Sequence, residues 1–206
     1  MRKNICSVLC GGAILLGVAA CAKAPAEAEQ AGGAAAVSQE TKVEASNGKK
    51  ILVAYYSYSG NTKAVAGQIA AALGADLFEI NTVETYPSAY GDLVDQAQRE
   101  IKAGFKPQLS GRVENMAQYD VVFIGSPNWW GTVAPAVSSF LSQYNWEGKQ
   151  VAGFFTHGGG GMQNCGRDLQ RQLPGAKLLS PVAFAGRSSG APQKELQAWL
   201  TQLGLK

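Results

Sequence analysis

The sequence predicts an α/β fold, a three-layer sandwich in which a five-stranded parallel sheet in the order 2-1-3-4-5 carries helices on both faces. Apolar strand-like segments alternate with helix-like segments from residue 49 to residue 206, and this alternation is typical of a parallel sheet with right-handed crossovers. The first, third and fourth strand-like segments are the most apolar, so they are expected in the interior of the sheet.

Five segments are predicted as strands: ILVAYYS (51–57), DLFEIN (76–81), YDVVFIGSP (119–127), KQVAGFFTH (149–157) and AKLLSPVAFAG (176–186). The second is half polar. The fifth contains Pro181, which has no backbone N–H to donate to a central ladder. Both segments are therefore expected at the edges of the sheet, as the order 2-1-3-4-5 requires.

Five helices are predicted between and after these strands. In the first, Val65, Ile69 and Leu73 form one apolar stripe, and Gly74 follows where a helix would end. The remaining helices are expected to end near Gly104, to span about Ala134–Tyr144 and Met162–Leu173, and to close the chain over 190–203.

The first 48 residues are predicted to lie outside this domain. Arg2 and Lys3 precede an apolar run, and VAAC places Cys21 after small or aliphatic residues. This pattern resembles a bacterial lipoprotein signal peptide, with residues 1–20 removed and Cys21 lipidated. The alternative is an uncleaved membrane anchor, but a run of about 16 residues is short for a spanning helix of about 20.

Residues 22–48 are rich in Ala, Glu, Gln and Gly and contain no aromatic residue, Leu or Ile. Such a composition buries too little apolar surface to offset the entropy of ordering, so a flexible tether over 21–48 is expected. The predicted location is therefore the bacterial cell envelope, outside the cytoplasm, with attachment to the membrane through the lipid on Cys21.

Charge and cysteine content limit the function classes. The domain at 49–206 has 14 Lys and Arg against 11 Asp and Glu, without a basic run, so nucleic acid is not expected as a partner. With the signal removed and Cys21 lipidated, Cys165 is the only thiol expected in the mature chain. An intramolecular disulfide is then excluded.

The segment SYSGNT follows the first predicted strand and opens a helix. Backbone N–H groups at a helix start lack intrahelical partners and suit a phosphate, and the hydroxyls add neutral donors. A turn with a helix N-cap explains the same residues equally well. Its position matters, because ligands of open α/β sheets bind beyond the carboxyl ends of the strands, where the strand order reverses.

The segment GSPNWWGT follows the third predicted strand. Adjacent tryptophans cannot share one face of a strand, so Trp129 and Trp130 are expected in a loop between Pro127 and Gly131. One tryptophan in the core and one on the surface is an alternative. Because both lie at the predicted ligand edge, a flat aromatic ligand is favoured.

The segment THGGGGMQNC follows the fourth predicted strand. Its four glycines allow close approach of the backbone to a planar group. A flexible linker is less compatible with a position between a buried strand and a helix. His157 suggests a general acid, but a single loop histidine is more often polar surface, and no catalytic residue is predicted.

The combination of SYSGNT, SPNWWGT and THGGGG at these strand ends resembles the flavodoxin family, in particular short-chain members with a Trp-Trp-Gly loop. The resemblance covers roughly residues 50–205 and implies a flavodoxin-like fold with bound FMN. It implies phosphate contacts from Ser57, Tyr58, Ser59, Gly60, Asn61 and Thr62. It implies contacts with the isoalloxazine ring from Pro127, Asn128, Trp129, Trp130, Gly131, Thr156, His157, Gly158, Gly159, Gly160 and Gly161.

The function implied by this resemblance is electron transfer by a membrane-tethered FMN protein. Its partner would be an unidentified redox protein or a small electron donor or acceptor. The net charge of +3 departs from the strongly acidic carriers of the family and puts docking of a basic partner in doubt. Two alternatives remain: an FMN-dependent NAD(P)H:quinone-type oxidoreductase, and a non-redox binding module that has lost the flavin.

Overall fold

The structure, a computed structural model, describes residues 48–206 and contains six strands and five α-helices within that range. The strands are β1 (Ile51–Tyr55), β2 (Asp76–Glu79), β3 (Val121–Trp129), β4 (Thr132–Val133), β5 (Gln150–His157) and β6 (Lys177–Ala185). The helices are α1 (Asn61–Leu73), α2 (Tyr90–Ala103), α3 (Pro135–Leu141), α4 (Cys165–Arg171) and α5 (Gln193–Gln202).

The main sheet is parallel and has the order β2-β1-β3-β5-β6, with the short β4 paired to β3 alone. Counted over the five main strands this is 2-1-3-4-5, so the predicted flavodoxin-like order is confirmed. β1 and β3 lie inside the sheet, and alternate residues feed two cores. Val53 and Phe123 pack with α1 and α5, whereas Leu52 and Ile124 pack with α3 and α4.

Pro181 lies on the edge strand β6, as predicted. The register between β5 and β6 shifts between Ala152 and Phe154, which leaves Ser180 and Pro181 opposite a single residue. The indole N–H of Trp199 donates to the backbone oxygen of Ser180 at 2.8 Å. An edge position and a bulge together accommodate a residue that lacks a donor.

The tryptophan segment differs from the prediction of a loop. β3 continues through Pro127 to Trp129 and pairs antiparallel with β4, and only Trp130 and Gly131 form the connecting turn. Both turn residues have positive φ, 52° and 84°, which suits a tight hairpin. Pro127 lies beyond Gly125, the last residue of β3 that pairs with β1, so its missing N–H breaks no hydrogen bond between these two central strands.

Three helices are shorter than predicted, including α5, which spans Gln193–Gln202 rather than 190–203. α3 ends at Leu141 rather than near Tyr144, and the indole N–H of Trp146 donates to the free backbone oxygen of Leu141 at 2.7 Å. α4 begins at Cys165 rather than Met162 because Gln163 has a φ of 47°, outside the helical region. These positions are set by tertiary contacts, which apolar periodicity does not report.

The predicted signal peptide, the predicted lipidation site Cys21 and almost all of the tether lie outside the described residues. Within residues 48–206, no helix combines the length and the apolarity needed to cross a bilayer. Cys165 is a buried free thiol at the start of α4.

Candidate functional site

An open cleft of ≈ 1050 Å³ lies at the carboxyl ends of β1, β3 and β5, where the strand order reverses. It brings together residues from all three predicted segments: Tyr58, Ser59, Asn61, Pro127, Asn128, Trp129, Trp130, Gly131, Thr156, His157, Gly158 and Gly160. The other predicted site residues belong to the same segments without lining the cleft: Ser57, Gly60, Thr62, Gly159 and Gly161.

The segment SYSGNT forms the start of α1. Gly60 precedes the helix with a φ of 85°. The backbone N–H of Lys63 donates to Ser57 Oγ at 3.1 Å, and that of Ala64 donates to the oxygen of Gly60 at 2.9 Å. The N–H groups of Asn61 and Thr62, the first two helical residues, have no intrahelical acceptor. Both functions suggested by the sequence therefore coexist here: the Ser57 hydroxyl accepts one N–H of the first helical turn, and free donors remain for an anion.

Thr62 connects the first segment to the third. Its side chain is buried, and its Oγ1 lies 2.8 Å from Oγ1 of Thr156, the penultimate residue of β5. The next residue, Lys63, turns its ammonium group to Glu79 at 2.8 Å. The start of α1 is therefore fixed against β5, and Lys63 forms an ion pair with a residue of β2.

Asn128 connects the second segment to the third. Its Nδ2 donates to the backbone oxygen of Gly161 at 2.8 Å and to Oε1 of Gln163 at 3.1 Å, while its Oδ1 accepts the N–H of Gly131 at 2.9 Å. The N–H of Asn164 also donates to the oxygen of Gly131 at 2.9 Å. One amide side chain thus fixes the tryptophan turn and the glycine segment relative to each other.

Trp129 packs in an aromatic cluster at one wall of the cleft. Its ring meets those of Tyr56, Tyr58 and Tyr86 edge to face, at centroid distances of 5.6, 6.2 and 5.0 Å. Burial raises the pKa of Tyr56 well above its ordinary value. The pKa of Tyr86 is raised by burial and by its hydrogen bond to Glu100. Both phenols therefore stay neutral at physiological pH.

Trp130 lies at the rim. It is 55% exposed although it lines the cleft, and its Nε1 donates to the backbone oxygen of Val94 on α2 at 3.1 Å. The two tryptophans consequently differ in role. Trp129 is part of the packed wall, and Trp130 presents an aromatic surface that solvent still reaches.

The glycine segment leaves space beside the cleft. Gly159 and Gly161 have positive φ values of 132° and 70°, so the backbone itself requires glycine there. Gly158 has no such requirement, and a side chain there would meet nothing within 4 Å. His157 lines the cleft, and its Nδ1 accepts the N–H of Gly159 at 3.1 Å, which requires an unprotonated Nδ1.

Part of the cleft lining was not predicted from the sequence. Tyr90, Leu93, Val94 and Ala97 of α2 form an apolar wall of the cleft, and Leu93 and Ala97 are also buried against the core. Gln163 and Asn164 follow the glycines, and Gly186 follows β6. The described lining contains no Asp, Glu, Lys or Arg, so it presents no carboxylate, ammonium or guanidinium group.

A parallel sheet in this order with an aromatic and glycine-lined cleft at its switch point defines a flavodoxin-like α/β protein. A family model described as Flavodoxin matches residues 50–203. The chain belongs to the flavodoxin family.

Solved structures of relatives agree with this. The chain is 30% identical to a protein described as a flavoprotein from Bacteroides eggerthii, with a TM-score of 0.68 over 77% of this chain and 99% of that one. It is 26% identical to a flavoprotein from Lactobacillus acidophilus solved in complex with FMN, with a TM-score of 0.61 over 73% of this chain and 98% of that one.

A curated relative is an NAD(P)H dehydrogenase (quinone) from Cupriavidus metallidurans, 32% identical over 97 residues. The match covers 46% of this chain and 46% of the relative. The matched region therefore covers less than half of the length of this curated relative.

The residues of the cleft fit FMN. Free N–H groups at the start of α1 and nearby hydroxyls suit the phosphate, and the described lining holds no carboxylate that would repel it. Trp130 and the side-chain-free Gly158 border a space open to a planar ring. A cleft of ≈ 1050 Å³ lies at the upper end of the usual range for such sites, about 300–1,000 Å³.

Proposed function

We propose that the protein is an FMN-dependent electron-transfer protein held at the membrane of the bacterial cell envelope by a lipid on Cys21. FMN is the cofactor, in keeping with the family and with the FMN complex of a structural relative. FMN supplies the redox chemistry, and the chain supplies binding, orientation and electrostatics. The observation that carries the proposal is the aromatic cleft at the switch point, beside the free N–H groups of α1.

Each loop has a distinct part in this function. The start of α1, with Ser59 and Asn61 in the cleft, holds the phosphate. Trp130 and the backbone of the glycine segment flank the ring. Asn128 fixes these two elements relative to each other through its hydrogen bonds. No side chain has to break or form a covalent bond, so the site residues are binding residues.

The visible absorption spectrum of the purified protein, with and without micromolar FMN, tests this proposal. We expect a bound yellow chromophore and quenched flavin fluorescence. Absence of both after reconstitution would show that the chain is not an FMN protein and would favour the non-redox binding module.

A second candidate is an FMN-dependent NAD(P)H:quinone-type oxidoreductase. It is favoured by the curated relative of that description and by the apolar α2 wall beside the cleft. No separate G-x-G-x-x-G dinucleotide unit occurs in the sequence, so the nicotinamide would use the open face of the flavin. Stopped-flow mixing with NADH or NADPH separates the candidates: rapid bleaching of the flavin identifies the enzyme, and no bleaching identifies the carrier.

Membrane attachment is tested independently of the flavin. We expect the full chain to sediment with membranes and the Cys21→Ala variant not to carry lipid. A wild-type mass without any acyl modification would overturn the proposed lipidation and leave the redox proposal intact.

A further inference from the structure

The loop GRSSG (186–190) lies between β6 and α5. Gly186 lines the cleft, and a side chain added there would come within 2.9 Å of Asn61 Nδ2, at the first residue of α1. Five residues later, Ala191 exchanges two hydrogen bonds with the side chain of Gln68, from its N–H at 2.8 Å and to its oxygen at 3.1 Å. The loop therefore follows the first two turns of α1.

Several contacts fix the position of this loop. The N–H of Gly186 donates to the oxygen of His157 at 2.8 Å, and the N–H of Gly190 donates to the oxygen of Arg187 at 3.0 Å. Gly190 has a φ of 83°, and a side chain there would collide with the Gln68 side chain. Arg187 is thus held on a turn beside the start of α1.

The positive charge of Arg187 is important because of its place beside the start of α1. The segment SYSGNT contains no Lys or Arg, and the adjacent Lys63 is paired with Glu79. Arg187 is exposed and forms no ion pair with any residue between 48 and 206. A phosphate at the start of α1 would face neutral donors on the helix, with one uncommitted guanidinium on the neighbouring loop.

We propose that Arg187 contacts the phosphate of FMN and strengthens the preference of the site for FMN over riboflavin. A guanidinium binds phosphate through charge-assisted and often bidentate hydrogen bonds. This inference rests on the proposed function, because it concerns the phosphate of the same cofactor.

The test compares the dissociation constants of FMN and riboflavin, measured by quenching of flavin fluorescence, in the wild type, Arg187→Gln and Lys177→Gln. Lys177 is an exposed cation at the opposite end of β6, so its replacement makes the same change in net charge away from the cleft. We expect Arg187→Gln to weaken FMN about tenfold, as for the loss of one charge-assisted hydrogen bond. Riboflavin affinity should be unchanged, and Lys177→Gln should affect neither ligand.

Salt provides a second readout. Wild-type FMN affinity should fall as ionic strength rises, because salt screens an exposed charge pair, and Arg187→Gln should lose most of that dependence. Arg187→Lys should retain part of the affinity at low salt, as a point charge without the planar fork.

The outcomes separate the two proposals. An unchanged ratio of FMN to riboflavin affinity in Arg187→Gln, with FMN bound by the wild type, would overturn the role of Arg187 alone. Equal losses for both ligands would also overturn it, because the effect would then not concern the phosphate. A wild type that binds neither flavin would overturn the proposed function and this inference together.

Discussion

Thr62 and Thr156 share a buried hydrogen bond, with their Oγ1 atoms 2.8 Å apart. The bond joins the start of α1 to the end of β5, and these are the elements that present the phosphate donors and the glycine segment. If one hydroxyl is removed, the other is left buried without a hydrogen-bond partner, and the folded state then bears the full cost of its desolvation. The pair therefore couples the stability of the domain to the geometry of the cleft.

Thr62→Val should lower the free energy of unfolding by about 1–3 kcal/mol, because the shape is kept and Thr156 is left without its partner. FMN affinity should fall as well, since the start of α1 loses its attachment to β5. Urea denaturation of both single variants and the double variant checks this. The two effects should be less than additive in Thr62→Val/Thr156→Val; full additivity would mean that the hydroxyls are satisfied independently.

Asn128→Ala should weaken FMN and riboflavin by similar factors, about fivefold to tenfold, because it removes hydrogen bonds that hold the ring-side segments and leaves the phosphate side intact. Flavin fluorescence titration measures both ligands. Asn145→Ala is the matched control: Asn145 Oδ1 accepts the N–H of Glu147 in a turn remote from the cleft. A selective loss of FMN in Asn128→Ala would contradict the assignment of this residue to the ring side.

Trp130→Ala should weaken FMN about tenfold or more, through loss of an aromatic contact and of its buried area. Trp130→Phe should recover much of the affinity, although it loses the hydrogen bond to Val94. Phe105 is also an exposed aromatic residue, at 52%, but does not line the cleft, so Phe105→Ala serves as control. If Trp130→Ala and Phe105→Ala bound FMN equally well, stacking on Trp130 would be ruled out.

The sheet order was predictable because buried parallel strands appear as continuous apolar runs, and the half-polar second run and Pro181 marked the two edges. The three segments of the cleft were predictable for a related reason, since they directly follow the interior strands. The hairpin at Trp130 was not, because positive φ at a tryptophan has no signal in residue preference. It depends on contacts of the turn with Asn128 and Asn164.

The contribution of the loop after β6 to the site could not be predicted from the sequence either. Gly186 and Asn61 are distant in the sequence, and GRSSG alone indicates only a turn. The loop reaches the cleft because α1 and α5 pack on the same face of the sheet. The wall formed by α2 was not predicted for a different reason. Leu93 and Ala97 have the spacing of core residues and are buried, but they also border the cleft.

Cys165 should make the protein less stable at alkaline pH. Burial and the nearby Asp168 raise the pKa of its thiol from 9.0 to about 12. The fold therefore favours the protonated form, and this contribution is complete below the unfolded pKa, near 9.0, and is lost as the pH rises toward 12. Burial and neighbouring carboxylates also raise the pKa values of Tyr55 and Tyr119 to about 12, and these add to the loss above pH 10.

The cysteine contribution can be isolated by measuring the free energy of unfolding in urea from pH 7 to pH 11 for the wild type and Cys165→Ala. The variant should be less stable at pH 7, because a buried sulfur is lost, but its stability should decline less steeply above pH 9. The difference in slope should approach about 1.4 kcal/mol per pH unit, the value for one proton. Parallel curves would show that the thiol ionises as readily in the folded chain as in the unfolded one, which is incompatible with its burial beside Asp168.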